Sequence, residues 1–230
     1  HFNELDEAAG PYTFNRAESA YKRAIQFKNP PVYGVAMYKL AWTYFKQQRY
    51  ETSVRQFVEL LKYADEQEKK TGDTGADFRT EAYTYVAGAL TYLDFTGPGA
   101  DEPFVPRSDV LDLEKDVRIA EQKMRIAIER VQNPSLIPQD RKWTVEIYKA
   151  LAAEFKELNQ FRNLIEISEM VLKRWPMDRD APILQAQIAD IYDMLASRAR
   201  EGTAEKSENA KKALDARTKL AAYVGNTPWV

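Results

Sequence analysis

The stretch Met37 to Leu61, MYKLAWTYFKQQRYETSVRQFVELL, sets the tightest limit on what this chain can fold into. Large and small residues recur in it at helical spacing: Met37, Leu40, Ala41 and Tyr44, then a polar turn Lys46-Gln47-Gln48-Arg49, then Tyr50, Ser53, Phe57 and Leu60. Residues three and four apart share one helix face, so the stretch reads as two short helices joined by a tight turn. Its second half recurs upstream. Phe14, Ala17, Tyr21 and Ala24 precede Tyr50, Ser53, Phe57 and Leu60 by the same 36 residues (50−14, 53−17, 57−21, 60−24). One helix pair cannot bury its apolar faces alone, so recurrence predicts pairs that stack around a shared core. Small residues then sit where backbones approach, and large ones fill the gaps between pairs.

Taken in order, residues 1–11 are expected to be disordered or a linker, residues 12–225 to form a helical-repeat domain with an irregular loop at 96–111, and residues 226–230 to be a tail. The first helix runs from Tyr12 to about Lys28. It reads as the second helix of a pair whose first is missing, which predicts a piece of a longer array. Asn29-Pro30-Pro31 stops it, and Pro31 suits the opening turn of the next helix. The second helix of the Met37 pair is expected to end near Glu68, before a polar linker, Lys69 to Gly75. Tyr83, Val86, Ala87 and Leu90 mark a third pair. The segment Thr96 to Leu113 holds three prolines and two glycines, which interrupt that pair before its second helix resumes at about Asp112, with Ala120, Met124 and Ala127 at the expected spacing. A fourth pair carries Tyr148, Leu151, Ala152 and Phe155, then Phe161, Leu164, Ser168 and Val171, with Leu164 and Ser168 reversed in size against the pattern. A fifth opens at Asp178 or Asp180, either a good cap, and carries Ile188, Ala189 and Tyr192. After Glu201-Gly202-Thr203 a last helix is expected from Ser207 to Tyr223, with Gly225 to Trp229 non-helical.

The order Met37, Leu40-Ala41, Tyr44, Ser53, Phe57 resembles the tetratricopeptide repeat, whose pattern is Trp, Leu-Gly, Tyr, Ala and Phe with a closing Pro. Met37 stands for the Trp, Ala41 for the Gly and Ser53 for the Ala, each within its size class. The resemblance covers roughly Tyr12 to Tyr192. It implies an all-α, tetratricopeptide-type right-handed superhelical solenoid of about nine antiparallel helices. It also implies a concave groove, lined by the first helix of each pair, that holds a partner protein or peptide. Carried onto this sequence, the groove positions include Tyr38, Trp42, Phe45 and Lys46, then Thr84, Thr91 and Tyr92, then Lys149 and Lys156. The Tyr-rich repeat and the closing Thr-Pro-Trp are similar to long multi-repeat proteins of bacterial envelopes, which serve assembly, secretion or motility complexes. That similarity implies the periplasm or cell envelope.

Composition narrows the remaining chemistry. The 230 residues hold no cysteine and one histidine, His1, at a terminus expected to fray, which argues strongly against a nucleophile–histidine triad or a Cys/His zinc site. No catalytic residue, cofactor or metal is expected. Glu146 with Glu154, or Asp190 with Asp193, are the only carboxylate pairs at suggestive spacing, and solvated helix faces explain them better. Gly72-Asp73-Thr74-Gly75 lacks the Lys-Ser/Thr ending of a phosphate loop. Basic and acidic residues number 33 and 35, well mixed, which argues against a nucleic-acid binder. No apolar run reaches the ~18 residues of a membrane span.

What remains is a surface. Tyr38, Trp42 and Phe45 are spaced by 4 and 3 (42−38, 45−42), so they share a helical stripe. Exposed, they would anchor a partner's apolar side chain; covered by a neighbouring helix, they would be structural. Lys46, Lys149 and Lys156 are too dispersed to form a clamp for a terminal carboxylate. Partner binding is the leading reading; self-association through repeat ends, or an adaptor role within a larger multidomain protein, are its alternatives.

Overall fold

The side chains that carry the repeat pattern in the Met37 pair are the ones the fold buries there. A computed structural model describes residues 11–28, 30–72, 77–97 and 117–226. In it Met37, Leu40, Ala41, Tyr44, Tyr50, Ser53, Phe57 and Leu60 are all buried. No strand occurs among the described residues. The helices are α1 (Pro11–Ala24), α2 (Pro30–Lys46), α3 (Tyr50–Thr71), α4 (Arg79–Thr91), α5 (Val117–Met124), α6 (Ile126–Gln132), α7 (Thr144–Glu157), α8 (Phe161–Arg174), α9 (Ala181–Arg198) and α10 (Ala204–Asn226). Only Arg125 parts α5 from α6, so the described residues form nine helices when these two count as one. Of the expected linker 1–11, only Pro11 is described, and it opens α1. The rest of that linker, the loop beyond Gly97 and residues 227–230 lie outside the described residues.

The chain divides into two compact units, residues 1–150 and 151–230, and α7 contributes to both. In the first unit α1 packs on α2, α2 on α3 and α3 on α4, with α2 also meeting α4 and α4 meeting α6. This is sequential helix-pair packing of the solenoid kind. The closest approach of α2 and α3 is made by small residues: the Ser53 hydroxyl donates to the Ala41 carbonyl at 2.8 Å, and neither residue is exposed. In the second unit α9 packs on α8 and on α10. Leu164, Ile167, Ser168 and Val171 are buried on α8, Ile188 and Ala189 on α9, and Ala213 and Ala216 on α10. Gln185 of α9 donates to the Ala216 carbonyl at 3.1 Å, registering the two helices.

The turn within a pair is built the same way twice. Gln48 has φ 58° and Asn159 has φ 56°, both left-handed. Around the first, Gln48 N–H bonds the Phe45 carbonyl and Arg49 N–H the Tyr44 carbonyl, each at 3.0 Å. Around the second, Asn159 N–H bonds the Lys156 carbonyl at 3.1 Å and Gln160 N–H the Phe155 carbonyl at 2.8 Å. This six-to-one and five-to-two pairing is the Schellman ending, which satisfies the carbonyls a helix leaves open.

Helix ends differ from the sequence expectation where local chemistry was overridden. Lys69, Lys70 and Thr71 continue α3, because the first residue able to turn left-handed is Gly72 (φ 73°), whose N–H bonds the Glu68 carbonyl at 2.9 Å. The last helix starts earlier than Ser207 and carries Gly225 and Asn226 inside it. Asp180 is the N-cap of α9 but makes no capping bond. Asp178 instead folds its carboxylate onto the Asp180 N–H, at 2.9 Å.

Past α4 the chain turns back on the α2–α3 turn. The Phe95 carbonyl accepts the Glu51 N–H at 2.8 Å, filling one of the donors left open in the first turn of α3. Arg130 of α6 donates to the Leu90 and Tyr92 carbonyls at 2.7 and 2.6 Å, and its guanidinium lies 4.1 Å from the Phe95 ring centre. Gly97 closes the contact with φ 64°; a Cβ there would sit 2.2 Å from the Gln48 carbonyl oxygen. Gly97→Ala is therefore expected to destabilise the first unit by about 1–3 kcal/mol in urea unfolding, through steric conflict and backbone strain together. An unchanged midpoint would show that this segment does not hold its place against α3.

Candidate interaction surface

The sequence-chosen stripe lies inside a ring cluster of the first unit. Tyr38, Trp42 and Phe45 leave one side of α2, and α4 with its two capping residues meets that side with aromatic residues of its own. Phe78, Tyr85 and Tyr92 are seven apart (85−78, 92−85), so they recur on one face about every two helical turns. Tyr38 stacks on Phe78, with centroids 4.4 Å apart and planes at 12°, and meets Phe57 edge-on at 6.0 Å. Phe45 touches Tyr50, Tyr85 and Tyr92 edge-on at 5.4, 5.2 and 6.0 Å. Tyr50 stacks on Tyr92 at 3.9 Å, and Phe57 on Tyr85 at 5.6 Å. Such pairs contribute roughly 0.5–1.5 kcal/mol each beyond the area they bury.

Trp42 ties three helices together. Its indole N–H donates to the Tyr85 hydroxyl of α4 at 3.0 Å, and its ring lies 6.4 Å from Phe14 of α1. It stays partly exposed, with the Lys46 and Lys39 ammonium groups 5.3 and 6.0 Å from the indole ring centre. The neighbouring-helix alternative therefore describes much of the stripe: Tyr38 and Phe45 spend their ring contacts within the molecule.

The other sequence-chosen positions scatter. Lys46 and Thr84 are exposed, while Tyr92 is half-buried in the ring cluster. Thr84 donates its hydroxyl to the Thr80 carbonyl at 3.1 Å. Thr91 does not face outward; it is buried and donates to the Gly88 carbonyl at 2.8 Å. Lys149 lies mostly covered, paired with Glu146 at 2.9 Å. Lys156, on the same helix α7, is exposed. Of the carboxylates considered for acid–base work, Glu146 is taken up by Lys149 and Asp193 by Arg217.

Sequence reasoning missed a buried polar cluster beside the rings. Glu18 of α1 accepts Gln47 Nε2 at 3.0 Å, Arg49 at 3.2 Å on both oxygens, and Lys22. The Arg49 guanidinium also sits 4.7 Å from the centre of the Tyr44 ring. Burial alone would raise the Glu18 carboxyl; hydrogen bonds from Lys22 and Gln47, with the charges of Lys22 and Arg49, outweigh it and hold it below the usual 4.5. Burial likewise pushes the Tyr44 phenol up. A Glu four residues before a Lys was visible in the sequence, but the turn residues that complete the cluster come 29 and 31 positions later.

Among the described residues no group of His, Cys, Asp and Glu is arranged to hold a metal ion, and no helix is long and apolar enough to cross a membrane. No protein-family model matches the chain, and none of the curated proteins compared with it matches either.

Two outcomes follow from the cluster. Trp42→Ala is expected to cost about 2–4 kcal/mol of stability, since it removes the bond to Tyr85 and the ring contact with Phe14 together, while Trp42→Phe costs less. Equal midpoints for wild type and Trp42→Ala would show that the indole is a surface group. Glu18 has a depressed carboxyl, so its contribution is complete above about pH 4.5 and is lost as pH falls through the lower folded value. The stability gap between wild type and Glu18→Gln, about 1–3 kcal/mol near neutrality, should therefore narrow below pH 4.5 in a series of thermal melts. A gap that is flat from pH 7 to pH 3 would contradict the ion pair.

Proposed function

We propose that this chain is a non-catalytic scaffold of the tetratricopeptide type, which binds a partner protein or peptide along the outer side of its first helices. The observation that carries the reading is the face of α4. Glu81 and Thr84 are exposed there, and a Cβ placed on Gly88 would meet nothing within 4 Å. With spacings of 3 and 4 (84−81, 88−84), the three form one stripe of helix with bare backbone at its end, where another chain can approach closely. The partly exposed Trp42, flanked by Lys39 and Lys46, belongs to the adjoining helix and gives a partner an amphipathic contact. The non-catalytic part rests on composition, with no cysteine and histidine only at position 1. The bacterial cell envelope as the setting rests on the resemblance of the sequence to the long repeat proteins found there.

A photo-crosslinking residue at position 84 tests this reading, with the same residue at exposed Arg23 on α1 as control. In extract of the source cells, an adduct at 84 that excess unmodified chain competes away, with none at 23, is the expected result. Equal labelling at both positions, or none at 84, would reject the α4 face as the binding surface.

A further inference from the structure

The second unit carries a groove that the sequence reading did not anticipate. It runs along α9 between α8 and α10 and encloses about 800 Å³. Its floor is Leu172, Ile188, Tyr192 and Ala216. Asp190 and Asp193, on the same helix, do not line it. The first unit has a smaller counterpart over α2 beside α3, of about 390 Å³. There Tyr63 leans onto Tyr33, with centroids 4.8 Å apart, and Lys62 is paired with Glu59 at 2.7 Å. On α10 the inward positions are Ala213 and Ala216, with Ala222 on the groove wall, so the space is left open.

The charges on its rims are distributed unevenly. Near Tyr192 stand Glu169 and Lys212, and Lys212 is already paired with Glu208 at 2.6 Å. The bond from Gln185 to Ala216 places the other end near the start of α9. Lys173 of α8 and Lys219 of α10 line that end, and neither has an ion-pair partner among the described residues, although Asp215 lines the groove between Lys212 and Lys219. Two exposed ammonium groups beside an apolar floor complement a segment with a carboxylate next to an apolar anchor. The lining of α10 from Lys212 to Ala222 covers ten residue steps, or roughly 15 Å of helix, long enough for about three turns of a docked helix.

We propose that this groove docks an acidic amphipathic segment of a partner protein, with an apolar side chain over Ile188 and Tyr192 and a carboxylate between Lys173 and Lys219. The proposal rests on the scaffold reading but places a second contact in a different unit from the α4 face.

The test is selection of a phage-displayed random library of about 16-residue peptides, the span of a few helical turns, on the intact chain. Enriched peptides are expected to combine Leu, Phe or Trp with Glu or Asp at helical spacing. A fluorescein-labelled copy of the leading peptide should bind the Lys173→Glu/Lys219→Glu variant at least tenfold more weakly, and replacing its acidic residues by Lys should restore binding to that variant. Both positions are exposed, and circular dichroism checks that the variant is folded. Ala222→Trp, which fills the groove without altering charge, should also weaken binding. Enrichment of basic or uncharged peptides, or unchanged affinity in both variants, overturns the proposal. So does a mass that doubles with concentration in the wild type and not in Ala222→Trp, which would assign the groove to a second copy. Labelling at position 84 should be unaffected by these variants, so failure of this groove and failure of the scaffold reading give different results.

Discussion

The distance between α2 and α3 governs the first unit. Ala41 and Ser53 face each other without exposed surface, and the serine hydroxyl reaches the opposing backbone at 2.8 Å. A residue larger than these at either place would push the helices apart. Because α4 packs on α3 and also meets α2, the displacement would reach the ring cluster. The hydroxyl has a second role. Its donor is satisfied by a carbonyl of the neighbouring helix, so a buried polar side chain is accommodated at little cost. Helix pairs of this kind are therefore specified by small residues as much as by large ones, and the size order along the chain is the part of the pattern that must be kept.

The aromatic residues answer the geometric problem the small ones create. Packed helices stand about 8–10 Å apart, and where backbones do not touch, something bulky has to fill the interval. On α2 and α4 rings do this, alternating stacked and edge-on contacts. Rings have few rotatable bonds, so filling space with them costs little side-chain entropy. The abundance of Tyr in this chain follows: a phenol can bury its ring while its hydroxyl takes a partner, as Tyr85 does for Trp42. The second unit lacks such filling on α10, where alanines face α9, and it is there that a groove opens.

How much of this was legible in the sequence depends on how far each feature reaches along the chain. Helix faces were legible, since spacing of three and four is local: Leu151, Ala152, Phe155, Leu164, Ser168 and Val171 are all buried as expected, even where the size order is reversed. The stripe Tyr38, Trp42 and Phe45 was legible as a shared face, but what covers it comes from α4, 43 residues on for the Trp42–Tyr85 bond. Phe78, Tyr85 and Tyr92 carried that signal in their sevenfold spacing. Helix ends were legible only where glycine or proline enforced them. Lys69 and Lys70 are polar yet good helix formers, so polarity alone did not end α3. The left-handed Gln48 had no sequence signature, because glycine or asparagine is the usual choice there. The groove of the second unit was illegible because it results from what α10 lacks.

The return of the chain after α4 has a consequence for what this scaffold can tolerate. Phe95 is bonded to α3 and stacked under Arg130, and Arg130 itself belongs to the helix that resumes after the intervening stretch. The segment that leaves α4 is thus fastened to α3 and to α6 by side-chain and backbone bonds among the described residues. The cost of closing a loop grows only slowly with length, by about 0.6 kcal/mol for each doubling. Because Phe95 and Arg130 hold α3, α4 and α6 to one another, sequence added between positions 97 and 117 is expected to leave the register of those helices intact.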